Sequence, residues 1–182
     1  MPINDINLSK IIFITGGTKS GKSEFAEYLG RKIEKITYIA LSELRADDVN
    51  WQKKILQHRK RRPKEWELVE TNDLISALLH EKGPVLIDSI GGFIMENINK
   101  NDDEWQKKIY LLLELLKSRL NKTLIVGEQV GWSLVSEYKI GNAYIERIGE
   151  LQKRITKISK ENWLTVNGRA IKLDNISFEI PS

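Results

Sequence analysis

The chain has 182 residues, 41% of them hydrophobic and 30% charged, which suits a single α/β domain with a sizeable core and excludes wholesale disorder. It contains no cysteine, so disulfides, thiolate metal sites and a cysteine nucleophile are all excluded. The formal net charge of +4 hints at anionic partners, but composition alone gives no clustered basic face of the kind that binds nucleic acid.

The N-terminal MPINDINLSK has neither a basic segment nor an apolar run of the secretory type, and no stretch approaches the roughly 20 apolar residues of a membrane span. A cytoplasmic protein is expected. Lys10 to Thr15 (KIIFIT) predicts a buried strand, followed by the glycine-rich GGTKSGKS and then a helix with Phe25, Ala26 and Leu29 on one face. Ile36 to Ala40 predicts a second strand. Residues 46–58 predict a helix, acidic at its start and basic near its end, as the helix dipole favours. The charged, proline-containing RKRRPKEW interrupts that pattern. A helix is expected over 72–81, with Asn72 as its N-cap and Gly83 as its stop, and Pro84 leads into a third strand, VLID.

Residues 102–120 predict an amphipathic helix that turns Trp105, Ile109, Leu112, Leu113, Leu116 and Leu120 to the core, and Thr123 to Val126 predicts a fourth strand. Ile140, Ile148, Leu151, Ile155 and Ile158 mark a long helix. WLTVN and RAIKL, separated by Gly168, predict a hairpin or tight turn, and residues 174–182 form a tail. Alternating strands and helices with no internal repeat predict one α/β domain over 1–182, its core about 10–173, with a mostly parallel sheet covered on both faces.

Gly16, Gly17, Thr18, Lys19, Ser20, Gly21, Lys22 and Ser23 satisfy G-x-x-x-x-G-K-[ST] between a buried strand and a helix. Glycines let the backbone curl so that successive N–H groups point inward at phosphate oxygens, and the helix adds its positive end. Lys22 is expected to reach the β- and γ-phosphates and the Ser23 hydroxyl to ligate Mg2+. Asp88 ends a buried strand downstream, where a carboxylate holding Mg2+ directly or through water is expected. The fold class is therefore a P-loop NTPase-type (RecA-like) α/β domain, and ATP or GTP is the expected ligand.

Further segments carry a resemblance. ITGGTKSGKSEFAE, YIA, KKILQHRKRRPKEWELVE, VLIDS, Asn97 ahead of Ile98, VGWSLV, GELQKRI and NWLTVNGRAIKL together resemble the bifunctional adenosylcobinamide kinase/adenosylcobinamide-phosphate guanylyltransferases of cobalamin biosynthesis. The likeness runs from about Ile11 to Leu173, and its most specific part is H-R-x-x-R-P-x-x-W joined to V-G-W. It implies two reactions: phosphorylation of the adenosylcobinamide hydroxyl by ATP or GTP, then transfer of GMP from GTP to that phosphate through a guanylyl-histidine. By the resemblance the histidine is His58, and Ser42, Glu43, Arg62, Pro63 and Glu70 belong to the nucleotide site. It also implies a corrinoid substrate and a homotrimer, with no nucleic-acid partner.

The residues around His58 are compatible with that role. A neutral imidazole can attack the α-phosphorus, and Arg59, Lys60, Arg61, Arg62 and Lys64 supply positive charge that attracts triphosphate and disfavours imidazolium. Read without the family, His58 is a surface histidine in a solvated basic run, and Pro63 and Trp66 are a helix stop and a core contact. His80 reads as a helix-end residue without catalytic duty.

The chain departs from the family pattern at three places. Ser89, Ile90, Gly91 and Gly92 follow Asp88 where the family has Cys and then Thr or Leu-rich residues. Glu128, Gln129, Val130 and Gly131 replace Asn-Glu-Val-Gly, and Gln152 and Lys153 stand for Asn and Gln. Gln129 is expected to orient a hydroxyl, water or metal less well than a carboxylate, with Glu128, facing the other way from the strand end, as the group that would have to compensate. A P-loop kinase for another small metabolite and a nucleotide-sensing regulator without corrinoid turnover stand as the other readings.

Overall fold

The computed structural model describes residues 10–41, 63–132 and 136–181. Seven strands form one sheet: β1 (Ile11–Gly16), β2 (Thr37–Leu41), β3 (Glu67–Thr71), β4 (Val85–Asp88), β5 (Thr123–Glu128), β6 (Glu161–Val166) and β7 (Arg169–Lys172). Their order is β3-β2-β4-β5-β1-β6-β7. The first six pair in parallel, and β7 alone returns antiparallel against β6.

The helices are α1 (Lys22–Gly30), α2 (Leu74–His80), α3 (Gly91–Glu96), α4 (Asp102–Ser118) and α5 (Lys139–Ile158). Alternation along each strand sorts the core into two layers. Ile11, Phe13, Ile39, Val85, Ile87 and Ile125 face one side, where α2, α3, α4 and α5 cover them with residues such as Leu78, Phe93, Trp105, Ile109 and Leu151. Ile14, Tyr38, Leu86, Leu124 and Val126 face the other, against Ala26, with Phe25 and Leu29 of α1 packed at the margin. The central strands are buried on both faces, which is why they read as unbroken apolar runs.

β1 and β5 are neighbours, yet the helix leaving β1 covers one face and the helix leaving β5 covers the other. The chain therefore diverges at their carboxyl ends, the place where ligands bind in open parallel sheets.

Local chemistry sets several boundaries differently from the sequence expectation. α2 begins at Leu74 because Asp73, and not Asn72, accepts the Ser76 N–H. It ends at His80, before Gly83, and His80 is exposed at that end. The Arg119 guanidinium donates to the carbonyls of Leu78, Glu81 and Gly83, satisfying acceptors that the helix end leaves orphaned. α4 carries a full capping box, Asn101 with Glu104. It stops at Ser118, so Leu120 is 81% exposed instead of facing the core. Ile140, in the first turn of α5, is 52% exposed for a similar reason: the core contacts of that helix begin further along, with Ile148, Leu151 and Ile155.

The predicted hairpin is present. Val166 pairs with Arg169, and the two turn residues, Asn167 and Gly168, take positive φ of 49° and 73°. The predicted helix over 46–58 lies outside the described residues. No helix among the described residues is long and apolar enough to cross a membrane.

Candidate active site

The glycine-rich loop leaves β1 at Gly16 and enters α1 at Lys22, at the carboxyl end of the sheet. Gly16 is obligatory on packing grounds: a Cβ there would meet the Thr165 hydroxyl at 2.3 Å and the Ser20 hydroxyl at 2.6 Å. Gly21 stands as N-cap of α1 with φ of 96°, a conformation that disfavours a side chain, and among the described residues no side chain caps that helix. Lys22 Nζ donates to the Gly17 carbonyl at 3.0 Å and so folds back across the loop. Thr18 and Lys19 are exposed, Lys19 with φ of 57°.

Ser20 is buried and directed away from the loop mouth. Its hydroxyl pairs with that of Thr165 at 2.8 Å, its carbonyl accepts the Gly168 N–H at 3.0 Å, and Thr165 donates to the Thr15 carbonyl at 3.2 Å. The loop is thus fastened to the β6–β7 hairpin.

Ser23 Oγ donates to Asp88 Oδ1 at 3.3 Å, while Tyr38 donates its hydroxyl to the other Asp88 oxygen. Asp88 aligns with Ala40 of β2 and Val126 of β5, at the end of β4. Loop, serine and acidic residue, separated by 65 positions between Ser23 and Asp88, therefore meet at one point.

A second carboxylate joins them. Glu128, directly opposite Gly16 in the β1–β5 register, accepts the Ser89 hydroxyl on Oε1 and the Gly91 N–H on Oε2 at 3.2 Å. Its own carbonyl accepts Gln152 Nε2 at 2.7 Å, and Gln152 Oε1 accepts the Thr15 hydroxyl at 3.0 Å. Burial raises the Glu128 carboxyl above its ordinary pKa, and the negative charge of Asp88 raises it further, against the Ser89 hydrogen bond and the positive charge of Lys22. Burial, then the Glu128 charge, raises the Tyr144 hydroxyl as well. A Cβ on Gly91 would lie 2.2 Å from that hydroxyl and 2.9 Å from each Glu128 oxygen.

The model described as cobinamide kinase / cobinamide phosphate guanyltransferase matches residues 12–173. The chain belongs to this family. It is 26% identical over 181 residues to the bifunctional adenosylcobalamin biosynthesis protein CobU of Escherichia coli (strain K12), covering 90% of this chain and 99% of that one. It is 28% identical over 166 residues to the bifunctional adenosylcobalamin biosynthesis protein CobP of Pseudomonas aeruginosa, covering 88% and 95%. Among solved structures it is similar to one described as a structural study of project PH0250 from Pyrococcus horikoshii OT3, with TM-score 0.50, 8% identity, and 96% and 92% of the two chains covered. The chain is thus a nucleotide-dependent transferase of the cobinamide kinase/guanyltransferase family, which serves cobalamin biosynthesis.

Of the residues singled out in the sequence, Gly16 to Ser23 and Asp88 come together. His58, Ser42, Glu43 and Arg62 lie outside the described residues. Pro63 is half-buried ahead of β3, its carbonyl accepting the Trp66 N–H. Glu70 is exposed on the edge strand β3, across Ala40 from Asp88. Asn97 is a fold residue: its amide donates to Phe93 and its carbonyl accepts from Arg147. Tyr38, Tyr144 and Gln152 were not among the sequence candidates as site residues. Tyr38 lay inside the quoted strand YIA, where an aromatic residue reads as core.

Proposed function

We propose that this member of the family phosphorylates adenosylcobinamide and then transfers GMP from GTP to the product, with His58 as the covalent carrier. The observation that carries the first half is the convergence of Lys22, Ser23 and Asp88 where the P-loop meets the end of β4. Lys22 binds the β- and γ-phosphates of ATP or GTP and draws charge off the transferring phosphoryl group, while the loop amides hold the chain of phosphates in line with the substrate hydroxyl.

The donor set fits Mg2+. Ser23 Oγ and Asp88 Oδ1 are hard oxygen ligands 3.3 Å apart, and adjacent ligands of an octahedral Mg2+ at about 2.1 Å stand about 3 Å from one another. Bound there, Mg2+ would supply charge neutralisation at the phosphate oxygens.

In the second half, an imidazole nitrogen of His58 attacks the α-phosphorus of GTP, a P–N bond forms and pyrophosphate leaves. A phosphate oxygen of adenosylcobinamide phosphate then attacks the same phosphorus, the P–N bond breaks, and His58 is restored. Arg62 stands as a stabiliser of the developing charge, and Ser42, Glu43, Pro63 and Glu70 as further nucleotide contacts. The reading extends to one nucleotide-binding domain over 1–182, a homotrimer and a cytoplasmic location.

The test is incubation with Mg2+ and GTP labelled at the α-phosphate, beside a His58→Ala variant, followed by denaturing separation. Acid-labile, base-stable label on the wild type alone is expected. Absence of label from a wild type that binds GTP removes the histidine carrier. Phosphorylation of adenosylcobinamide is followed separately with γ-labelled ATP and GTP.

A further inference from the structure

The turn after Asp88 has to be held, because the carboxylate at the end of β4 points at Ser23 only while its neighbours stay in place. Three contacts hold it. Ile90 N–H donates to the Val126 carbonyl at 2.8 Å, and the Glu128 carboxylate takes donors from the residues on both sides of Ile90, the Ser89 hydroxyl and the Gly91 N–H. Ile90, the N-cap of α3, offers no side-chain acceptor, so Glu128 supplies the cap from the end of the adjacent strand β5.

The residue that supplies this cap is itself fixed. Glu128 is anchored through its carbonyl to Gln152 and thence to Thr15, the residue before the loop. One path of contacts therefore runs from the start of the P-loop to the turn that carries Asp88, and Gly91 provides the room for it.

We propose that Glu128 is a positioning residue: by anchoring Ser89 and Gly91 it holds the Asp88 carboxylate in register with Ser23, so that the two together grip the divalent cation of the bound nucleotide. This rests on the reading that Ser23 and Asp88 hold Mg2+. Glu128 acts through the turn and by hydrogen bonding. A glutamine can reproduce that pattern, its carbonyl accepting the Gly91 N–H and its amide donating to the Ser89 oxygen, whereas an alanine removes it.

The experiment is calorimetric titration of GTP into the full-length protein, with and without Mg2+, for wild type, Glu128→Ala and Glu128→Gln, with thermal midpoints as a folding control. In wild type Mg2+ should tighten GTP binding. Glu128→Ala should lose about tenfold of that tightening, roughly 1.4 kcal/mol, while its Mg2+-free affinity stays within about threefold. Glu128→Gln should keep most of the tightening. The proposal is overturned if Mg2+ has no effect on wild type, if Glu128→Ala keeps the full effect, or if Glu128→Gln loses as much as Glu128→Ala, since the carboxylate would then act by charge. It is also overturned if Glu128→Ala weakens Mg2+-free binding equally, which marks general disruption. None of these readouts needs corrinoid turnover, so a protein that fails to phosphorylate adenosylcobinamide would count against the proposed function and leave this result standing.

Discussion

Gly91→Ala is the sharpest probe of how tightly this site is built, because two effects of opposite sign compete there. Gly91 opens α3, and in open space alanine in a helix is favoured over glycine by about 1 kcal/mol. The new Cβ, however, would lie 2.2 Å from the Tyr144 hydroxyl and 2.9 Å from both Glu128 oxygens, where ordinary contacts begin at 3.4 Å. The tyrosine must retreat by over an ångström and the carboxylate by half of one. Forcing a methyl group into a packed site costs roughly 1–3 kcal/mol, and Glu128 has two hydrogen bonds to lose in moving. The packing term wins, leaving a net loss of about 2 kcal/mol, or roughly 4–8 °C in thermal midpoint for a chain of this size. Thermal denaturation of Gly91→Ala, Tyr144→Phe and the double variant tests it. Removing the tyrosine oxygen relieves the closest contact, so the cycle should show a favourable coupling of about 1 kcal/mol. Gly149→Ala, in α5 with nothing within 4 Å of its Cβ, serves as control and should gain stability. A stabilised Gly91→Ala, or strictly additive effects in the cycle, would refute the reasoning.

Two stability predictions follow from groups outside the site. Arg119→Ala strips the guanidinium from three carbonyls around the end of α2 and from Thr123, and a loss of about 2 kcal/mol is expected by urea denaturation. Arg119→Lys should recover less than half, because a single ammonium cannot span the same fork of acceptors. Glu150 accepts from Trp105, Gln106 and Arg154; burial pulls its carboxyl up, but those partners outweigh burial and leave it below the ordinary glutamate value. A depressed carboxylate stabilises the fold above its unfolded pKa and loses that contribution as pH falls through the folded value. The thermal midpoints of wild type and Glu150→Gln should therefore differ at neutral pH and converge in acid, once the pH has fallen through the depressed folded value. A gap that persists unchanged into acid would contradict the assignment.

The P-loop was legible because motif, entering strand and leaving helix all agreed, and the buried strands because parallel pairing makes them apolar on both faces. What escaped notice had physical reasons. β3 is an edge strand whose Glu67, Leu68 and Glu70 are exposed, so its polar residues blended into the charged segment before it, and its pairing with β2 is remote in sequence. α3 begins with two glycines, the poorest ordinary helix formers, and its packing explains why: a Cβ on Gly92 would lie 2.5 Å from Leu41, while Phe93 and Ile94 are buried in the core. Leu120 has the right helical period for the core, but the helix ends two residues before it.

The site was legible in the chemistry of loop, serine and acid, and hardest to read at the positions expected to depart from the family's pattern. Taken singly, Ser89, Gly91, Glu128 and Gln152 look unrelated, and the divergence of neighbouring strand-end residues argues only against Glu128 standing in for a carboxylate at 129. In the fold they touch. Ser89 donates to Glu128, Gly91 leaves the space that Glu128 and Tyr144 fill and donates its N–H, and Gln152 holds the Glu128 carbonyl while reaching Thr15. Even Gly127 takes part, since a Cβ there would press on Phe13 at 2.9 Å and on the Gln152 amide carbon at 3.2 Å. Strand geometry sets where side chains start, but Glu is long enough to bend past the end of β5, and a turn with two donors at the right distance captures it. The Glu128 carboxylate lies where a Cβ on residue 91 would press on it, and the Gln152 amide where a Cβ on residue 127 would. Ser89, Gly91, Gly127, Glu128 and Gln152 therefore pack as one unit, and each becomes intelligible only beside the one it contacts.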